Sequence, residues 1–174
     1  IKIVNQYFRS LITYYGKIYA KRSARYIPVG EMQAEILRKY NTTTKIPNGI
    51  SVEKFRKQKA ERHFEDFTVG YLGRMTAEKN VESLIRACKE LDVNLVVAGI
   101  GWGVEQMRRR YESDKIKFIG AVEYPPTKFY NSVDLFCNPS FIEANSNLTA
   151  LEALACETPV IVSGCGGEEA NIHK

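Results

Sequence analysis

The sequence predicts an α/β fold, a Rossmann-like doubly wound parallel sheet, on three observations. Strand and helix periods alternate repeatedly between Thr68 and Val162. Inner segments such as Val93–Ala98 and Val160–Val162 read as apolar runs, as parallel strands buried on both faces do. Polar or glycine-bearing loops follow the strands at Gly73–Asn80, Gly99–Gly103 and Gly120–Glu123, where such a sheet opens its ligand crevice.

Composition agrees. The chain has 174 residues and 44% apolar content, enough for one hydrophobic core. No apolar run approaches the roughly 18 residues of a transmembrane helix, and the opening Ile1-Lys2-Ile3-Val4 is not a signal peptide. Cys88, Cys137, Cys156 and Cys165 show no paired spacing. The first three fall on apolar faces and predict buried thiols in a reducing, cytoplasmic setting. With only His63 and His173, and no dense acidic cluster, neither a metal nor a cofactor is expected. The net charge of +5 is uneven: residues 1–66 hold 14 basic and 6 acidic side chains, the rest 11 and 14. A basic first third suits a solvated surface, anionic headgroups, phosphate or nucleic acid. Nucleic acid is set aside, because no aromatic residues interleave along a sheet and no recognition helix is visible.

Taken in order, residues 6–26 form an amphipathic helix, with Tyr7, Phe8, Leu11, Ile12, Tyr15, Ile18 and Tyr19 three and four apart. Lys17, Lys21, Arg22 and Arg25 lie in its second half, where cations suit the dipole. Packing against a core or another domain and peripheral membrane contact both stay open for it. Ala24–Val29 reads as an edge strand. Glu31–Tyr40 reads as a helix with Met32, Ile36 and Leu37 on one side. Asn48-Gly49 is a turn signal, and the charged residues 56–66 read as a mobile loop.

Thr68–Leu72 is the first central strand. A helix follows, with Val81, Leu84, Ile85, Cys88 and Leu91 on one face. After the strand Val93–Ala98 comes a helix over Val104–Tyr111 with Arg108, Arg109 and Arg110 solvated. Lys117–Gly120 is a strand, Pro125–Ser132 a helix and Val133–Asn138 a strand. Asn145, Ser146, Asn147 and Thr149 are the candidate caps of the next helix, whose apolar face would be Leu148, Leu151 and Ala155. Thr158-Pro159 stops it before a buried strand at Val160–Val162.

The chemistry gathers at two places. Glu143 and Glu152 flank the last helix start, whose free N–H groups favour an anion. Arg74 and Lys79 follow the first central strand. They would suit a diphosphate, arginine as a fork and lysine as a point charge, or else are a surface arginine and a helix-start lysine.

The stretch Asn138–Gly167, with Glu143, Leu151-Glu152-Ala153 and Thr158-Pro159-Val160, resembles the signature of the retaining glycosyltransferases of family 4, the group 1 glycosyltransferases of GT-B architecture. Ile46-Pro47-Asn48-Gly49-Ile50 is similar to the turn that opens that family's second domain. The likeness covers about residues 26–170. Eight residues separate Glu143 from Glu152, one more than the family's usual spacing, which calls for a bulge or a later helix start.

The resemblance implies that residues 46–174 are one half of a GT-B glycosyltransferase, a C-terminally incomplete donor domain. Residues 1–45 would be a helical linker to a missing N-terminal acceptor-binding domain. It implies that Gly73, Arg74 and Lys79 hold the donor diphosphate and that the two cations stabilise the departing nucleoside diphosphate. Gly99 and Gly101 would line the cleft, and Val122 would meet the base through its backbone. Asn147, Leu148, Thr149 and Glu152 would bind the donor, with Glu152 on the ribose, and Glu143 would contact the transferred sugar. The implied activity is retaining transfer of a hexose-type sugar from a UDP-sugar or GDP-sugar to a glycan, lipid or other acceptor. It would take place in the cytoplasm, including the inner face of a membrane. The alternative is a catalytically inactive nucleotide-binding or scaffold module.

Overall fold

The computed structural model describes residues 18, 19, 22, 25–141 and 147–164. They fall into two compact units, with the division between Asn48 and Gly49. In the first, Ile18, Tyr19 and Arg22 are helical, while Arg25 and Tyr26 have left the helix expected to reach residue 26. The rest of that helix lies outside the described residues. The expected edge strand at Ala24–Val29 is instead a single parallel bridge from Tyr26 to Thr43. Helix α1 (Glu31–Arg38) carries its acid in the first turn and its base in the last. Its buried residue is Ala34, whereas Ile36 is exposed, contrary to the expected face. Asn48-Gly49 forms no turn. The turn comes later, where the N–H groups of Lys54 and Phe55 both donate to the Ser51 carbonyl at 3.0 Å.

The second unit contains a five-stranded parallel sheet. Its elements are β1 (Thr68–Leu72), α2 (Val81–Glu90), β2 (Asn94–Ala98), α3 (Val104–Tyr111), β3 (Ile116–Gly120), α4 (Thr127–Asn131), β4 (Leu135–Asn138), α5 (Leu148–Ala155) and β5 (Val160–Val162). The strand order β3-β2-β1-β4-β5 reverses direction at β1 and β4, the switch point at which open sheets bind ligands.

Strand alternation divides the core into two layers. Val69, Tyr71, Leu95, Val97, Ile116 and Phe118 pack with Val81, Leu84, Ile85 and Cys88 of α2 and Tyr111 of α3. Val96, Ala98 and Phe136 point the other way, to Phe129 and Tyr130 of α4 and Ala153 of α5. Helices therefore cover both faces, as the apolar runs require. Gly70 lies in the middle of β1, facing α4. A Cβ there would meet Val133 Cγ2 at 2.9 Å and Phe129 Cζ at 3.2 Å, so glycine lets the chain around α4 approach the central strand.

Four expectations need correcting. Leu91 caps α2 and is 71% exposed rather than part of its apolar face. α5 buries Ala150 and Ala153 and leaves Leu148 largely exposed, because small side chains let it lie close to its neighbours. β5 is an edge strand with Ile161 exposed, not a buried one. Arg108 is half-buried, its Nη2 donating to the Phe118 carbonyl at 2.8 Å, while Arg109 and Arg110 remain exposed.

The charged stretch 56–66 is a fastened strap. Gln58 N donates to Asn131 Oδ1 at 2.9 Å, and its Nε2 donates to Thr127 Oγ1 at 2.8 Å. Asn131 Nδ2 returns a bond to the Arg56 carbonyl at 3.1 Å. The Arg62 fork grips both oxygens of Asp134, which also accepts the Thr68 N–H at the start of β1. That guanidinium holds the Asp134 carboxyl below the ordinary range.

The close approach at Gly70 gives a direct test. Gly70→Ala should destabilise the domain by about 1–3 kcal/mol through overpacking. Gly49→Ala, whose Cβ would meet nothing within 4 Å, should leave urea unfolding nearly unchanged.

Candidate functional site

The loops at the carboxyl ends of the strands are held backbone to backbone. Gly73 N donates to the Ala98 carbonyl at 3.1 Å and Met75 N to the Ile100 carbonyl at 2.9 Å, carrying the β1–β2 pairing past the strands. Gly99 N donates to the Gly120 carbonyl at 2.7 Å. Gly99 has φ of +131°, and a Cβ on it would stand 1.8 Å from the Gly73 carbonyl oxygen. A Cβ on Gly101 would come within 2.8 Å of Met75 N. Gly73, Gly99 and Gly101 are thus brought together, and their glycines serve the contact between loops.

Arg74 rides on this platform. Its carbonyl accepts the Tyr71 hydroxyl at 2.8 Å, while its side chain is 72% exposed and 4.0 Å from Glu78. Lys79 ends a 3-10 turn over Ala77–Lys79, and left-handed Asn80 separates it from α2. It is therefore not a first-turn residue of that helix, and the helix dipole says nothing about it. The Asn80 amide donates to the Pro139 carbonyl at 3.2 Å, and Phe141 N donates to the Glu78 carbonyl at 2.8 Å. The loops after β1 and β4, on either side of the strand reversal, are bonded to one another.

Of the four candidate caps, Asn147 is the one at the N-cap of α5. Its Oδ1 accepts from Ala150 N at 3.2 Å and from Thr149 Oγ1 at 2.7 Å. Its Nδ2 is buried and has no partner among the described residues. An unpaired buried donor costs about 1–3 kcal/mol, so this amide is suited to an added acceptor. Leu148 is 42% exposed at the same helix start. Glu143, Asn145 and Ser146 lie outside the described residues.

Glu152 is half-buried in the second turn of α5, where Tyr130 Oη donates to its Oε2 at 2.7 Å. Burial pushes its carboxyl above the ordinary range, and the tyrosine bond partly offsets that. Tyr130 is itself fully buried, and burial raises its phenol far above the usual value. Sequence reasoning missed Tyr130, whose only signal was its place in a short apolar helix. Glu78 was also missed, although its spacing of four from Arg74 was a usable sign. Val122 packs its side chain against the layer holding Tyr130 and Phe136, in addition to any use of its backbone. Beyond β2, Trp102 is fully exposed and Ile100 is 66% exposed. Among the described residues no three metal-ligating side chains cluster, and no helix is long and apolar enough to cross a membrane.

Comparison with known proteins bears on this arrangement. The model of the family described as glycosyl transferases group 1 matches residues 66–174. An uncharacterised glycosyltransferase of Methanocaldococcus jannaschii is 36% identical over 110 residues, 56% of this chain and 27% of that protein. The capsular polysaccharide biosynthesis glycosyltransferase CapM of Staphylococcus aureus is 28% identical over 142 residues, 69% of this chain and 36% of its own length. The chain thus spans about a third of these curated relatives or less. HepE of Anabaena, crystallised with UDP, superposes with a TM-score of 0.74 at 19% identity, over 89% of this chain and 49% of its own. It shares the fold.

Two substitutions probe the site. Gly99→Ala combines a left-handed φ with a backbone clash and should cost about 3–5 kcal/mol in urea unfolding. Glu152 has a raised folded pKa, so the folded state holds its proton more tightly than the unfolded one. Its contribution to stability therefore falls as pH rises from the ordinary carboxylate range through that raised value. Glu152→Gln keeps an acceptor for Tyr130, removes this slope and should stabilise the domain at neutral pH by about 0.5 kcal/mol, allowing for the solvent-facing half of the group. Unfolding midpoints across that pH window check the sign. A loss that grows toward neutral pH would mean that the ionised carboxylate stabilises the fold.

Proposed function

The chain belongs to the glycosyl transferases group 1 family, and we propose that it supplies the donor half of a two-domain GT-B enzyme. That enzyme transfers a hexose-type sugar from a nucleoside-diphosphate-sugar to a glycan, lipid or other acceptor, with retention at the anomeric carbon. Residues 46–174 are the donor domain in this reading, and residues 1–45 join it to the acceptor domain. The observation that carries it is the start of α5. There Asn147 caps a helix through its Oδ1 while its buried Nδ2 has no partner among the described residues, and the next turn holds the half-buried carboxyl of Glu152. Both groups are left with a cost that a polar ligand would relieve.

The roles follow from chemistry. The donor diphosphate lies toward Arg74 and Lys79, beside Gly73, Gly99 and Gly101, with the free N–H groups of Leu148 and Thr149 adding partial positive charge. Glu152 accepts from the ribose hydroxyls, the Val122 backbone meets the base, and Glu143 holds the sugar. As the bond from the anomeric carbon to the β-phosphate oxygen breaks, charge grows on the diphosphate, where fixed cations stabilise it most. The acceptor oxygen forms the new bond from the same face, and a diphosphate oxygen takes its proton. No metal enters this scheme. The three described cysteines are buried and free, which fits a reducing, cytoplasmic setting. HepE was crystallised with UDP-glucose as well as UDP, which makes uridine donors the first to test.

Calorimetry of the full-length parent with UDP- and GDP-sugars tests function and donor together. Arg74→Ala and Lys79→Ala should each cost about 2–5 kcal/mol, roughly 30-fold or more, for the nucleotide-sugar and the free diphosphate alike. Glu143→Ala should weaken only the sugar-bearing donor. Trp102, the single tryptophan of the 174 residues, gives the chain an independent fluorescence readout of nucleotide. A folded parent that binds no nucleotide at millimolar concentration would leave the scaffold reading in its place.

A further inference from the structure

We propose that the strap from Lys54 to Arg62, with Lys128 and Tyr124 beside it, docks on an anionic lipid bilayer. The proposal stands independently of the donor site. Elsewhere in the domain, Arg74 is paired with Glu78, Arg86 and Arg110 with Glu82, Arg109 with Glu105, and Lys115 with Asp92, while Lys89 and Lys117 lie over the Tyr111 and Phe64 rings. On the strap only Arg62 is paired, with Asp134. Lys54, Arg56, Lys59 and Lys128 are exposed and have no ion-pair partner among the described residues. Lys57, also exposed, forms no ion pair there either, though it acts on Asp134 from a distance. The nearby acids flank this run: Glu53 before it, which accepts the Ser51 hydroxyl at 2.7 Å, Glu61, Glu65 and Asp66 after it, and Glu123 along the groove. Between Lys54 and Ala60 the charged residues are Lys54, Arg56, Lys57 and Lys59, with no acid among them.

The strap is also held in place. Its bonds to Thr127 and Asn131 fix the backbone against α4, so the lysines project from a rigid base. Lys59, His63 and Lys128 line a groove of about 790 Å³ that also contacts Ile119, Pro126 and Phe129. Tyr124, 68% exposed, stands at this groove and packs edge-on against buried Phe55, with ring centroids 6.2 Å apart. Val52, 64% exposed, precedes the run. Point charges flanked by an amphipathic aromatic ring and an aliphatic side chain match the interface of a negatively charged bilayer. They offer neither a row of stacking aromatics nor a recognition helix for nucleic acid.

Co-sedimentation of the chain with vesicles of phosphatidylcholine, alone and mixed equally with phosphatidylglycerol, tests this. Binding is expected only to the mixture, and it should weaken as salt rises. The variant Lys54→Gln/Arg56→Gln/Lys59→Gln/Lys128→Gln should bind about a hundredfold less, at about fivefold for each cation with allowance for non-additivity. A control, Arg86→Gln/Arg109→Gln/Arg110→Gln/Lys115→Gln, changes net charge equally and should stay within about threefold of the parent. If the quadruple strap variant is not folded by circular dichroism, Lys59→Gln/Lys128→Gln carries the same comparison at about 20-fold. Equal losses in strap and control variants, undiminished binding by the strap variant, or displacement from vesicles by single-stranded DNA at equal charge would each overturn the proposal.

Discussion

The arrangement at the carboxyl edge of the sheet depends on an approach that only glycine permits. A Cβ on Gly99 would stand 1.8 Å from the carbonyl oxygen of Gly73, so the loops after β1 and β2 can touch only without it. Bonds from Met75 to Ile100 and from Gly99 to Gly120 then extend the sheet's pairing into three loops. Because that platform is made of backbone, Arg74 needs no side-chain contact to be positioned. Its carbonyl is held by Tyr71, whose ring belongs to the core. The guanidinium, exposed and 4.0 Å from Glu78, faces solvent, while the loop that carries it is built into the sheet.

The opposite layer is organised by α4, a helix of five residues. Gly70 lets the chain around it approach β1, and Thr127 and Asn131 fasten the strap. Tyr130 reaches α5, where its hydroxyl meets Glu152 while its backbone carbonyl accepts the Thr158 hydroxyl at 2.8 Å just past the helix end. A helix this short has little stability of its own. It persists because these contacts on several sides fix it. The same contacts couple the orientation of Glu152 to the core through a buried ring.

The sheet was legible because its strands are apolar runs punctuated by glycine and polar loops. β1, α3 and β5 fall on the residues expected, and the others differ by one to three residues at their ends. The face of α5 was misread because hydrophobicity favours leucine, whereas tight packing selected Ala150 and Ala153. The turn at Asn48-Gly49 was misread because local turn chemistry gave way to the bond pair at Ser51. At the site, Arg74 and the three glycines could be placed because they follow strand ends directly. Tyr130 could not, since 22 residues separate it from Glu152 and only helix packing joins them. The strap was equally opaque: Gln58 and Asn131 lie 73 residues apart, and a charged sequence gives no local sign of such a tie.

The start of α5 joins two incompletely paired polar groups on neighbouring turns of one helix. Several buried or half-buried polar groups are met, Asp134 by Arg62 and Thr68, Asn138 by Ser140, Thr158 by Tyr130, while Thr76 Oγ1 and Arg108 Nε, like the Asn147 nitrogen, have no partner among the described residues. At the helix start the Asn147 oxygen accepts two bonds while its nitrogen, among the described residues, is left over, and there the Glu152 carboxyl has a tyrosine but no cation. The two groups lie on neighbouring turns of one helix at the switch point of the sheet, where a ligand with both acceptor and donor groups would complete them. A nucleotide has both, with phosphate oxygens to take the amide and ribose hydroxyls to give to the carboxylate. In the proposed donor site, that incomplete pairing would be made good by the ligand itself.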